Sequence, residues 1–244
     1  MNVPELSVVL PAYREAESLM TLLPVLKARV AELTGDFEIL VVDTEQPIDQ
    51  TAEVCAAAGV RHIHRRGGNN YGDAVRTGIA ETRGTSVVFM DADGSHNPIH
   101  LKNLWQERDG YTVVIGSRYV RGGVTENPFI LIAMSYAVNL TFRIAFQLKA
   151  NDVTNSFRLY RGDPLRALHL DSNDFDIVEE LLIKLVTGRA HATVKEVPVV
   201  FERRKAGESK RNLREFAISY LQTLIRLRKF RGEALQDARR AERE

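Results

Sequence analysis

The chain has 244 residues, a net charge of +1 and one cysteine, with 44% hydrophobic and 27% charged residues. That length supports one large core and makes a single soluble globular domain the default, and no nucleic-acid partner is expected. The lone Cys55 excludes an internal disulfide framework, and its setting in AEVCAAAG reads as a buried helix residue, not a reactive thiol.

Taken in chain order, the opening MNVPELSVVLPAY carries neither a basic leader nor an apolar segment long enough for a signal peptide, so a cytosolic chain is expected. Short β-branched runs follow at Leu6–Leu10, Phe37–Val42, Val60–His64, Val87–Met90 and Val113–Gly116. Helix-length segments separate them. Continuous apolar strands of this kind, alternating with helices, predict an α/β fold with a mostly parallel sheet covered on both faces. Glu15–Thr34 has leucines and Val30 at helical spacing, with Pro24 predicting a kink, and Thr51–Ala58 and Gly72–Thr82 are the next helices. His62, His64 and His191 lie in or beside strand-like segments and read as packing or surface residues.

The stretch VVFMDADGSHNP, Val87–Pro98, is the most informative. It sets Asp91 and Asp93 directly after an apolar strand, where alternate residues point the same way and two carboxylates converge on one hard cation. In open α/β sheets ligands bind beyond the carboxyl ends of the strands, which places Pro11, Tyr13, Glu15, Asp43, Asp91 and Asp93 around one crevice. No G-x-G-x-x-G follows the first strand and no P-loop occurs. A nucleoside diphosphate held through a metal by Asp91 and Asp93, with Glu15 or Asp43 accepting hydrogen bonds from ribose or base, is the chemistry this set of carboxylates suits.

On these residues the sequence resembles family 2 glycosyltransferases, in particular polyprenyl-phosphate (dolichyl-phosphate) mannose or glucose synthases. The resemblance rests on SVVLPAYREAESL, EILVVDTEQPIDQTAE, NYGDAVRTGI, MDADGSHNP, VIGSRYVRGG, DVTNSFRLYR and FERRKAGESK, which follow in the family's order and cover nearly the whole chain. It implies a GT-A fold, inversion at the sugar carbon, and Mn²⁺ or Mg²⁺ as cofactor. By position it implies a nucleoside pocket of Pro11, Tyr13, Glu15 and Asp43 and a metal and diphosphate site of Asp91 and Asp93. Ser95 stands in the place of a third oxygen ligand, leaving His96 or a water to complete the shell. Arg118 resembles an arginine facing the acceptor phosphate; Arg204 and Lys210 lie in a loop that closes over lipid phosphate or donor. Ser156, Phe157 and Arg158 match a T-S-G-F-R-like motif on the acceptor side, with Asn155 and Ser156 where relatives have Ser-Gly. Two departures stand out: Thr44 replaces a second aspartate after Asp43, and the helix after GGVTEN lacks the arginine that usually precedes the serine and asparagine found here as Ser135 and Asn139.

A lipid monophosphate, with a second pKa of about 6, is a dianion at neutral pH and needs no strong general base. Guanidinium groups on that phosphate, Arg118 and Arg204, then bring two anions together. A hydroxyl acceptor would instead require a carboxylate base, for which Asp152 and Glu179 are the options. The uncharged Asn127–Phe142 is short of a bilayer span and reads as a helix seated in a membrane surface, in the core or at a homodimer contact. Leu213–Leu227 is amphipathic and followed by Arg228, Lys229 and Arg231, a basic interfacial pattern, and the mixed-charge tail beyond Ala234 reads as frayed. The expectation is therefore a GT-A domain over residues 1–212 and an amphipathic helix with tail over 213–244. It would move a hexose from GDP-mannose or UDP-glucose to a polyprenyl phosphate, peripherally, at the cytoplasmic inner face of a membrane. The alternatives are transfer to a glycan or small-molecule hydroxyl, and a nucleotide-sugar-binding module without turnover.

Overall fold

The computed structural model describes residues 3–187, 192–203 and 220–233. The first strands and helices alternate as predicted, β1 (Leu6–Pro11), α1 (Ala16–Ala31), β2 (Phe37–Asp43), α2 (Thr51–Ala58), β3 (Arg61–His64), α3 (Tyr71–Glu81), β4 (Ser86–Phe89) and β5 (Val113–Ser117), and a short helix not predicted from the sequence, α4 (Leu101–Gln106), stands between β4 and β5. The second half adds β6 (Val124–Thr125), α5 (Phe129–Phe146), β7 (Arg158–Arg161), α6 (Gly162–Arg166), α7 (Ile177–Thr187), β8 (Val194–Pro198) and β9 (Val200–Phe201), with a last helix, α8, over 220–233. Helix α1 runs through Pro24 without a break. Pro24 is on the exposed side of the helix, so the missing N–H is not a loss within the core.

Seven strands form one sheet in the order β3-β2-β1-β4-β7-β5-β8, and β6 pairs with β9 separately. All pairings are parallel except those of β7, which runs antiparallel between β4 and β5. The sheet divides the core in two because successive side chains of a strand point to opposite faces. Leu6, Val8 and Leu10 of β1 pack with Leu19, Leu23 and Leu26 of α1 and with Leu104 of α4. On the other face Val9, Val87, Phe89 and Ile115 pack with α3, α5, α7 and, through Tyr220 and Leu227, α8. Cys55 is fully buried on α2, and burial beside Asp43 and Asp49 pushes its thiol up to about 11. It is a packing residue, as its sequence setting predicts.

Arg204, Lys210, His191, the 213–219 part of the predicted terminal helix and the tail beyond Ala234 lie outside the described residues.

Candidate active site

Parallel register brings the ends of β1, β2 and β4 to one edge. Pro11 pairs with Val42, Val9 with Phe89, and the chain continues this pairing through Ala12 N–H to Val42 O and Met90 N–H to Val9 O. Beyond that edge the backbone turns sharply, with Arg14 at φ 58° and Gly94 at φ 79°. Gly94 lets the Asp91–Ser95 turn form without the cost a Cβ would carry there.

The predicted nucleotide-side residues meet at this edge in different states. Pro11 is buried; Tyr13 is exposed, its ring flanked by the guanidinium carbons of Arg14 and Arg65 at 5.8 and 6.0 Å. Glu15 is half-buried at the N-terminus of α1. Asp43 is only 1% exposed: its Oδ1 accepts from Thr44 N–H at 2.7 Å and its Oδ2 lies 3.1 Å from His62 Nε2. The Thr44 hydroxyl bonds Gln46 O, and His64 Nδ1 lies 2.9 Å from Thr44 O. The two histidines of β3 therefore hold the loop after β2 and are more than packing residues.

Arg65, not singled out by the sequence, also lies at this edge. It is 5% exposed and donates to the carbonyls of Ala12, Asn69 and Asn70, tying the loop after β1 to the start of α3. Burial lowers its pKa, and Asp43 and Asp73 oppose that shift.

Around the Asp91–Ser95 turn, the Asp91 side chain is 25% exposed, and its Oδ1 accepts from Ser156 Oγ at 3.0 Å. Asp93 is 8% exposed, and its Oδ1 accepts from Ser95 N–H at 2.9 Å and Ser95 Oγ at 2.6 Å. The buried His96 cannot complete a metal shell. Its Nδ1 accepts from Asp91 N–H at 2.9 Å, so the ring proton sits on Nε2, which donates to Asn155 Oδ1 at 3.1 Å. The ring stacks on Phe157 and meets Phe201 edge-on. Among the described residues no group of three or more His, Cys, Asp or Glu is placed to hold a metal. A hard cation at Asp91 and Asp93 fits as one bound through one or two carboxylates, completing its shell from a diphosphate and water. Beside this turn a cavity of about 260 Å³ is lined by Asp93, Gly94, Asn97, Glu202 and the Thr21 side of α1; it includes none of the other predicted nucleotide-side residues.

On the opposite side Arg118 is 9% exposed and gripped by Asp152, which is fully buried: Nε and Nη2 reach the two carboxylate oxygens at 2.8 and 2.7 Å. Nη2 also donates to Thr154 and Ser135, while Nη1 has no hydrogen-bond partner among the described residues. Burial works against the charged guanidinium, and Asp152 more than offsets it, so the pKa is raised. Asn139 Oδ1 accepts from Val153 and Thr154 N–H, which explains the serine and asparagine one turn apart on α5: both hold the 150–157 loop. Asp152 and Glu179 are thereby removed as bases. Asp152 is consumed by Arg118, and Glu179 is fully buried on α7, pushed up to about 8 chiefly by burial. Arg158, also fully buried, donates to Val178 O and Val153 O and braces the loop from behind.

The segment before Arg204 meets the Asp91–Asn97 turn. Glu202 N–H donates to Ser95 O, and Asn97 Nδ2 donates to Glu202 Oε1 at 2.7 Å.

Residues 7–168 match the sequence model described as glycosyl transferase family 2. The undecaprenyl-phosphate mannosyltransferase of Micrococcus luteus is 36% identical over 214 residues, covering 83% of this chain and 85% of that protein. The polyprenol monophosphomannose synthase of Mycolicibacterium smegmatis is 35% identical, covering 85% and 82%. The dolichol-phosphate mannosyltransferase of Pyrococcus furiosus is 33% identical over 94% of this chain but only 65% of its own length. Among solved structures, glucosyl-3-phosphoglycerate synthase from Mycobacterium tuberculosis, crystallised with Mn²⁺, UDP and phosphoglyceric acid, aligns with a TM-score of 0.70 at 20% identity over 92% of this chain and 78% of that one. At that identity the likeness is one of fold.

Proposed function

For a chain that belongs to glycosyl transferase family 2, and is thus a glycosyltransferase, we propose inverting transfer of a hexose from a nucleoside diphosphate sugar to a polyprenyl phosphate. The observation that carries the acceptor class is the state of the carboxylates. Asp152 is locked under Arg118 and Glu179 is sealed in the core, so neither can serve a hydroxyl acceptor as base, whereas a phosphate dianion needs none. The names of the three relatives point the same way and make mannose the first sugar to test.

In this reading Pro11, Tyr13, Glu15 and the loop after Asp43 border the nucleoside. Asp91 and Asp93, with Ser95 beside them, hold a divalent cation, Mn²⁺ or Mg²⁺. Bound there, the cation neutralises charge on the departing diphosphate. Ser156 holds Asp91 Oδ1, which leaves Oδ2, 3.9 Å from His96 Nε2, as the oxygen offered to the cation. Arg118 presents Nη1 to the acceptor phosphate, its fork fixed in place by Asp152, and Arg204 and Lys210 supply further positive charge.

A seat on a lipid surface is supported by α5 and α8. Phe129, Ile130 and Ile144 on α5 are 83, 60 and 69% exposed, and Leu221 and Ile225 on α8 are 58 and 62% exposed. The two helices adjoin through Phe142 against Tyr220 and Arg231 against Ala145 O, and α8 adds the exposed cations Arg228 and Lys229. Such an apolar face rimmed by cations suits the interface of an anionic leaflet, peripherally and on the cytoplasmic side.

Incubating the protein with labelled GDP-mannose, UDP-glucose or UDP-N-acetylglucosamine, Mn²⁺ or Mg²⁺ and a short polyprenyl phosphate, then extracting into organic solvent, tests the reading. Metal-dependent label in the organic phase from one donor, abolished by Asp93→Ala, is the expected result. Arg204→Ala should raise the KM for the lipid. Label that stays aqueous on an added glycan or small alcohol would replace the phosphate acceptor with a hydroxyl one.

A further inference from the structure

Asp91 is held from two directions by consecutive residues of the 150–157 loop. Its main-chain N–H reaches that loop through His96, whose Nδ1 accepts at 2.9 Å and whose Nε2 donates to Asn155 Oδ1 at 3.1 Å. Asn155 Nδ2 in turn donates to Gly116 O, anchoring the relay on β5. Its side chain is held by the next residue, Ser156, whose Oγ donates to Asp91 Oδ1 at 3.0 Å. The loop itself is fastened to neighbouring elements. Asn139 on α5 accepts from Val153 and Thr154 N–H, and Glu196 on β8 accepts from Asn151 and Asp152 N–H at 2.7 and 2.8 Å.

We propose that Asn155 and Ser156 are positioning residues for the cation site, fixing the main chain of Asp91 through His96 and its carboxylate through the Ser156 hydroxyl. The inference rests on the reading of Asp91 as a metal ligand and goes beyond it by assigning who orients that ligand. One carboxylate oxygen is occupied by a neutral hydroxyl and cannot swing; Oδ2 accepts no hydrogen bond among the described residues, lies 3.9 Å from His96 Nε2, and is the oxygen left for a cation. An aspartate without this hold samples more than one rotamer and must be ordered when the cation binds, which is the cost that partners of a metal ligand remove. The geometry also makes the loop carrying Arg118's partners, Asp152 and Thr154, the same rigid piece that sets the cation ligand. Donor and acceptor sides are thus registered against each other by one short segment.

The test measures Mn²⁺ affinity directly, from the electron paramagnetic resonance signal of free Mn²⁺ titrated into the full chain with GDP or UDP present. Ser156→Ala should weaken Mn²⁺ binding about tenfold, the lower end of what loss of an outer partner costs. Ser156→Thr, which keeps the hydroxyl, should restore most of it. In transfer assays S156A should regain nearly its full kcat at high Mn²⁺, with the acceptor KM unmoved. If S156A binds Mn²⁺ as tightly as the parent while Asp91→Asn abolishes binding, the positioning role is wrong and the metal site stands. If Asp91→Asn leaves Mn²⁺ binding intact, the metal site itself falls, and the inference with it.

Discussion

Asp91 and Asp152 are joined through one loop yet end in opposite electrostatic states. Asp152 is fully buried, and Arg118 reaches it through Nε, Nη2 and its own backbone N–H. Asp91 keeps a quarter of its side chain exposed, takes one hydroxyl, and has no lysine or arginine within ion-pair distance among the described residues. A carboxylate supplied with its cation by the fold is a structural part; in the proposed reading, the one left without it takes a cation from solution. Burying the Asp152 pair is tolerable only because the fork geometry and added hydrogen bonds offset the desolvation of both ions.

The largest expected effect separates the two. Asp91→Asn should abolish transfer, by at least about a thousandfold given what one preorganised electrostatic group supplies, with the melting temperature unchanged. Asp152→Asn leaves a buried guanidinium short of its partner, a loss of about 3–5 kcal/mol. At about 2–4 °C per kcal/mol for a chain of this size, its melting temperature should drop by roughly 10 °C. A D152N enzyme that melts normally but is inactive would move Asp152 into the chemistry and dissolve the contrast.

A smaller effect sharpens the contrast with a third carboxyl that has neither role. Glu179 sits fully buried, its pKa raised from 4.5 to about 8 mainly by burial, with Arg158 pulling the other way. Between these values the folded chain holds a proton that the unfolded chain has lost, so the group costs stability increasingly as pH rises from about 4.5 to 8. Glu179→Gln should therefore raise the melting temperature at pH 8.5 by at least about 2–4 °C, the equivalent of about 1 kcal/mol, and barely change it at pH 5. An equal gain at both pH values would show that Glu179 is already charged inside the fold.

The sequence made legible what is local. The first five strands and first three helices stand where the apolar runs and helical spacing put them, and Thr51–Ala58 agrees at both ends. The Asp91–Asp93 motif was readable because it directly follows an apolar strand, but the two carboxylates sit in a turn rather than on alternate residues of an extended strand, Asp91 bonded to Ser156 and Asp93 to Ser95. What escaped depends on contacts far apart in the chain. Strand β7 has four residues with an arginine at each end, and its place between β4 and β5 is a tertiary fact with no trace in its own pattern. His62 looks like a packing residue until β2 and β3 are set in register, which brings it to Asp43, 19 positions away. Arg118 reads as a free cation until Asp152, 34 positions on, is folded against it. His96 looked available as a ligand because its two partners, Asp91 N–H and Asn155, cannot both be read from a linear motif.

The smallest effect concerns the two faces of α5, which repeat the contrast in apolar form. Asn139, Phe142 and Phe146 face inward and are finished by the fold, while Phe129, Ile130 and Ile144 face out. Burying one such side chain in an interface is worth about 1.5–3 kcal/mol when complete, and roughly half of that when the helix lies at the headgroup boundary. Ile144→Ser should thus lower partitioning onto vesicles containing phosphatidylglycerol by about tenfold, since 1.4 kcal/mol is a factor of ten. The melting temperature should not move, because Ile144 contributes little to the core it leaves exposed. Sedimentation velocity on the same pair of proteins decides the competing occupant. A dimer in the parent that I144S dissolves, with no vesicle binding in either, would assign the face to a second copy of the chain; a monomer that binds vesicles and loses them on substitution would assign it to lipid, and so place the acceptor's own phase beside Arg118.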